Sequence, residues 1–146
     1  MLPMNIKYLM RLITEYGNST VNGNKRIEKT TPITAISEIE YILQEIGVPE
    51  NLKGFLFLRE AIYIVFLHDD LIQKITTVLY PEIAKKFHST PARVERSMRN
   101  AIDVTWSRGN FDVIQRIFTL TANKTKPSNS EFIKLIADQL RSKYLK

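Results

Sequence analysis

The chain has no cysteine among its 146 residues, and only two histidines, one tryptophan and five glycines. Without cysteine there is no disulfide frame and no thiolate metal site. The histidines, His68 and His88, offer little for acid–base or metal chemistry. His68-Asp69-Asp70 is the one tempting cluster. Consecutive residues on a helix diverge by about 100°, so these three do not converge on an ion, and they read as a helix end with solvated acids. His88 is placed in a turn. There is no phosphate-cradling glycine loop, no HExxH and no GxSxG. The longest apolar stretch, residues 54–67, is broken by Arg59 and Glu60 and falls short of the ~20 residues that span a bilayer. No charged segment, apolar run and small-residue cleavage site occur together. No strand-like alternation and no internal repeat is found. These absences predict an all-α, non-enzymatic, cytoplasmic protein with no metal, no cofactor and no membrane partner.

What is present is helical punctuation and a skewed charge. The apolar fraction of 44% suffices for a core, and the length suits one domain of ordinary size. Residues 80–146 hold 13 Lys/Arg against 6 Asp/Glu, a net +7, whereas residues 1–79 hold 8 against 9, a net −1. A basic half of this kind attracts polyanions. A membrane-surface helix would also need a broad exposed apolar face, and none stands out.

Residues 80–109 carry the clearest pattern. They read as two helices joined by a tight turn. Pro81 suits the opening of the first, with Ile83, Ala84 and Phe87 as its apolar face. His88-Ser89 makes the turn. Thr90 is an N-cap and Pro91 the first residue of the second helix. Gly109 is expected to stop that helix in a left-handed conformation. Along it, Val94, Met98, Ala101 and Thr105 share one stripe, with Ile102 at its edge. Ala92, Arg96, Arg99, Asn100 and Asp103 fall opposite, flanked by Arg93 and Glu95. Such a row of arginines can fork onto guanine or phosphate. Glu95 can accept from cytosine or hold Arg99 one turn on. The plainer reading is a solvated charged face. The coincidence of turn, cap, stripe and arginine row favours a helix-turn-helix that binds DNA. Lys85, Lys86, Ser89 and Thr90 complete the candidate contact set.

Elsewhere, residues 5–16 suggest a short helix and residues 17–33 a flexible linker. A helix is expected at about 35–47, closed by Gly47, followed by a buried one at about 51–68 that is apolar nearly all round. Residues 69–79 read as a further helix. Asn110 caps a segment to about Phe118. Ser128-Asn129-Ser130-Glu131 is a capping box opening a last helix with Phe132, Leu135, Ile136 and Leu140 inward. Trp106 and the Tyr and Phe residues fall at core spacing rather than as base-stacking platforms.

The segment YPEIAKKFHSTPARVERSMRNAIDVTWSRGN, preceded by GVPENLKGFLFLREAI and followed by KPSNSEFIKLIADQLR, closely resembles the DNA-binding effector domain of the stage-zero sporulation protein A family. The resemblance covers about residues 34–145. It implies a six-helix effector domain over 34–146, double-stranded DNA as partner and a TGTCGAA-like box, often in tandem copies that invite a homodimer. It further implies contact with the sigma subunit of RNA polymerase and a regulator of sporulation in a two-component system. By position, the resemblance gives Arg93, Glu95, Arg96 and Arg99 as recognition residues. Asn100 stands where family members commonly have His, so it can hydrogen-bond but not become cationic. NFDVIQRIF aligns with the sigma-contacting surface, which singles out Arg116 and Phe118. LPMNIKYLMRLI resembles the last turn and helix of a receiver domain, so residues 1–16 are expected to be a remnant unable to accept a phosphoryl group. An alternative role is a truncated form that modulates the full-length regulator by occupying boxes or pairing with it.

Overall fold

The computed structural model describes residues 32–118 and 126–144. The receiver-like segment 1–16 and nearly all of the expected linker lie outside the described residues. Six α-helices and no strand occur among the described residues.

Helix α1 (Pro32–Ile46) begins earlier than the periodicity suggested. Pro32 stands at its first position, where a missing N–H is not needed, so residues 32 and 33, expected in the linker, are helical. Ala35, Ile39, Leu43 and Ile46 recur at helical spacing and are fully buried. Gly47 ends the helix at φ 105°, a left-handed conformation that favours glycine. Its N–H reaches Gln44 O at 3.1 Å, and Val48 N–H reaches Leu43 O at 2.9 Å, which satisfies the last carbonyls.

Helix α2 (Lys53–Leu67) is the centre of the domain. Phe55, Leu58, Ala61, Ile62, Val65 and Phe66 are all buried, because α1 and two later helices pack round it. A side chain such as Phe66 or Ile62 contributes about 1.5–3 kcal/mol by leaving water.

The next segment differs from the single helix expected at 69–79. A 3-10 turn, Asp69–Lys74, leads into a π turn, Ile75–Leu79, and then α3 (Tyr80–Lys86). Pro81 explains the π turn. A proline within continuous helix removes one N–H and clashes with the carbonyl four residues back. Widening the turn lets Tyr80 N–H donate to Ile75 O, five residues back, and the chain continues through Pro81 instead of starting there.

Helix α4 (Pro91–Arg108) buries Val94, Met98, Ala101, Ile102 and Thr105, the expected stripe. The Thr105 hydroxyl, fully buried, donates to Ala101 O at 2.7 Å. Gly109 does not adopt the expected left-handed conformation. Its φ is −76° and its ψ −176°. Glycine serves close approach here: a Cβ would lie 2.5 Å from both Ile46 O and Thr105 O. Asn110 N–H also donates to Ile46 O at 2.8 Å, which ties the end of α4 to the end of α1.

Helix α5 (Phe111–Ile117) is capped by Asn110, whose Oδ1 accepts from Val113 N–H at 3.3 Å. Helix α6 (Asn129–Tyr144) opens with the full capping box. Ser128 Oγ accepts from Glu131 N–H, and Glu131 Oε1 accepts from Ser128 N–H at 2.8 Å. Its buried face is Phe132, Ile133, Ile136, Ala137 and Leu140, so Leu135 lies at the margin rather than inward. Lys143 and Tyr144 both reach Glu38 on α1. Burial, and then that carboxylate, push the Tyr144 hydroxyl up to about 12.

Candidate nucleic-acid interface

Helices α3 and α4 form a helix-turn-helix whose turn is built from an unusual residue. His88 sits at φ 54°, the left-handed position where glycine is the ordinary choice. The turn closes round it: Ser89 N–H donates to Ala84 O at 2.8 Å and His88 N–H to Lys85 O at 3.4 Å. Phe87 packs edge-on against Phe57 of α2 at 5.5 Å, which fixes the turn to the core. Thr90 Oγ1 then accepts from Arg93 N–H at 3.2 Å and starts α4.

Helix α4 is held from behind at two points. Gly54 of α2 faces Ser97 and Ala101 so closely that a Cβ would lie 2.3 Å from Ser97 O. On the other flank, buried Asn129 of α6 donates to Glu95 O at 3.0 Å and to the Tyr80 hydroxyl at 3.1 Å. The first turns of α4 are therefore fixed against α2, α3 and α6 together.

The outer face of α4 presents Ala92, Arg93, Arg96, Arg99 and Asn100, all exposed. Arg99 is drawn towards Glu95 at 2.9 Å, one turn back. Asp103, further along, is paired with Lys126. Two grooves run beside this face. One is lined by Lys53, Phe57, His88, Ser89, Arg93 and Arg96 among others, with no acidic side chain. The other takes in Glu95, Arg99, Lys126, Ser128 and Glu131.

The remaining candidates separate. Lys85 is exposed, and Ser89 and Thr90 lie in the turn. Lys86 is held by Glu60 of α2 at 2.8 Å and stacks over the Phe87 ring, so it ties the motif to the core. Arg116 is exposed on α5. Phe118 is not a surface residue. It is 6% exposed and packs between Trp106 at 5.1 Å and Phe132 at 5.5 Å. Its spacing fits the core aromatics; the exposed aromatic on this segment is Phe111, at 64%. Sequence reasoning missed Lys53, Gly54, Lys126 and Asn129 as neighbours of α4. Only the capping-box role of the segment holding Asn129 was visible.

Glu82, on the first helix of the motif, is 5% exposed, and its Oε1 has no hydrogen-bond partner. Burial pushes its carboxyl above the usual range, partly offset by Lys85. Among the described residues no group of three or more His, Asp or Glu could hold a metal ion, and no helix is long and apolar enough to cross a membrane.

A helix-turn-helix with a one-sided, arginine-bearing second helix is the architecture of a DNA-binding regulator. The family described as the C-terminal domain of sporulation initiation factor Spo0A matches residues 39–140, which span α1 to α6. That family is one of regulatory, DNA-binding domains rather than of enzymes. The chain belongs to the Spo0A C-terminal family.

Proposed function

We propose that the chain regulates sporulation genes by placing the N-terminal half of α4 in the major groove of short TGTCGAA-like boxes. Arg96 and Arg99 read base edges, with Arg93, Glu95 and Asn100 beside them, and Lys85, Ser89 and Thr90 approach the backbone. The observation that carries this reading is the exposed arginine face on a helix whose opposite stripe is fully buried. Among the described residues no side chain pairs with the guanidinium of Arg93 or Arg96, whereas a groove-entering helix uses such arginines. Tandem boxes would seat two copies side by side, and α5 would present Arg116 to the sigma subunit of RNA polymerase.

Titration of the protein on a box-containing and a scrambled duplex, at stated salt, tests this. Arg96→Ala is expected to cost about 1–3 kcal/mol on the box and much less on the scrambled duplex. An equal loss on both would reduce Arg96 to a phosphate contact. A promoter reporter separates the sigma contact: Arg116→Ala should lower transcription with box affinity unchanged. A parallel fall in both would remove that assignment.

A further inference from the structure

The two flanks of α4 differ in charge, and the difference has a consequence for how DNA is held. At about 100° per residue, Arg93 and Ser97 lie on one side of the outer crest and Glu95 on the other, with Arg96 near its middle. On the Glu95 side, each acid is already engaged within the protein. Glu95 holds Arg99, Asp103 holds Lys126, and Glu131 accepts from the Ser128 N–H. Among the described residues the groove on this flank sets Glu95 and Glu131 against Arg99 and Lys126, and Lys126 is also paired with Asp103, so these residues offer a phosphate no net attraction. On the Arg93 side, Lys53, Arg93 and Arg96 share one groove with His88 and Ser89, and no carboxylate lines it. Lys53 comes from the first position of α2, and the close Gly54–Ser97 approach brings that end of α2 against α4.

We infer that the groove formed by Lys53, Ser89 and Arg93 is a DNA-backbone site that clasps the phosphates of one strand, while the Lys126 flank makes no such contact. The site rests on the reading of α4 as the recognition helix. A helix in a groove about 12 Å wide lies between two phosphate rows, and among the described residues only one row meets uncompensated positive charge. A mobile cation and a hydroxyl donor at the groove mouth are the groups phosphate contacts use. Phosphates neutralised by a protein release counterions, which gives affinity a salt slope of about −0.9 per contact.

The test measures affinity over a range of salt concentrations on the box-containing and the scrambled duplex, for the native chain, Lys53→Ala and Lys126→Ala. Each substitution removes one positive charge from an exposed side chain, so each controls for net charge in the other. Lys53→Ala is expected to weaken binding by the same factor on both duplexes and to make the salt slope shallower by about 0.9. Lys126→Ala is expected to leave the slope unchanged. Equal slope changes in the two variants, or none in Lys53→Ala, would overturn the inference. So would a Lys53→Ala chain that binds DNA normally but loses promoter activity, which would give the groove to a protein partner. A native chain that does not prefer the box over the scrambled duplex would defeat the base-reading proposal, while the slopes on the scrambled duplex would still decide the Lys53 site.

Discussion

Gly54→Ala offers a direct way to move α4, the proposed recognition helix, without touching any of its exposed residues. The added methyl would sit 2.3 Å from Ser97 O, 2.7 Å from Ala101 Cβ and 3.0 Å from Ser97 C. Carbon and carbonyl oxygen ordinarily approach no closer than about 3.3 Å, so α2 and α4 must separate by about 1 Å there. The obstruction is backbone, which no rotamer change relieves. Overpacking of this kind costs about 1–3 kcal/mol, against about 0.8–1.0 kcal/mol gained from replacing glycine inside a helix. The net expectation is a loss of about 1 kcal/mol, a fall of about 4 °C in melting temperature for a domain of this size. The effect on DNA should exceed the effect on stability, because productive side-chain geometry tolerates only about 0.5 Å. A thermal melt and paired titrations on box and scrambled duplex measure both. Adding Ala101→Gly removes the 2.7 Å contact but not the 2.3 Å one, so rescue should be small. A Gly54→Ala chain that melts no lower than the native one and binds the box equally well would refute the reasoning.

Two further changes probe the helix-turn-helix itself. Glu82→Gln should raise stability near neutral pH by about 1 kcal/mol, because it removes a buried charge with an unpartnered oxygen. A raised carboxyl favours the protonated fold, so the penalty is present above the raised value and absent below the ordinary 4.5. Melts across that range should show the advantage of the glutamine vanish on acidification, and a constant advantage would refute the assignment. His88→Gly exchanges a left-handed cost of about 1–2 kcal/mol for about 0.5–1 kcal/mol of unfolded-state entropy, so it should raise the melting temperature slightly. A lower melting temperature would show that the imidazole contributes more to the turn than its backbone strain costs.

The elements legible in the sequence were those specified by neighbours along the chain. Thr90-Pro91, Asn110, Gly47 and the Ser128–Glu131 box each act within about four residues, and each appears where its pattern placed it. The buried stripe of α4 followed from periodicity for the same reason. The π turn before Pro81 was not legible, because proline more often starts a helix than is carried inside one. Gly109 was assigned the commoner use of glycine, left-handed φ, when its need came from Ile46 on another helix. On α6, residues 132, 133, 135, 136, 137 and 140 are all apolar, so the sequence could not say which would face α2.

The candidate site divides along the same line, between what a helix states about itself and what another helix does to it. The outward arginines of α4 follow from the period of one helix. The fate of Lys86 is decided by Glu60, 26 residues earlier, and that of Asp103 by Lys126, 23 residues later. The pose of α4 depends on groups with no charge to advertise them. Gly54 sets how near α2 can come. Asn129 uses both amide hydrogens, one on Tyr80 of α3 and one on the Glu95 carbonyl, so α6 is joined to both helices of the motif. An exposed arginine row alone makes a helix sticky towards any polyanion. Selectivity requires that the row be presented at a fixed depth and angle, since a bidentate contact to a base edge is lost with a displacement a phosphate contact would absorb. On the proposed reading of α4, the residues behind the helix therefore matter to base selectivity as much as those in front of it, because they fix its depth and angle.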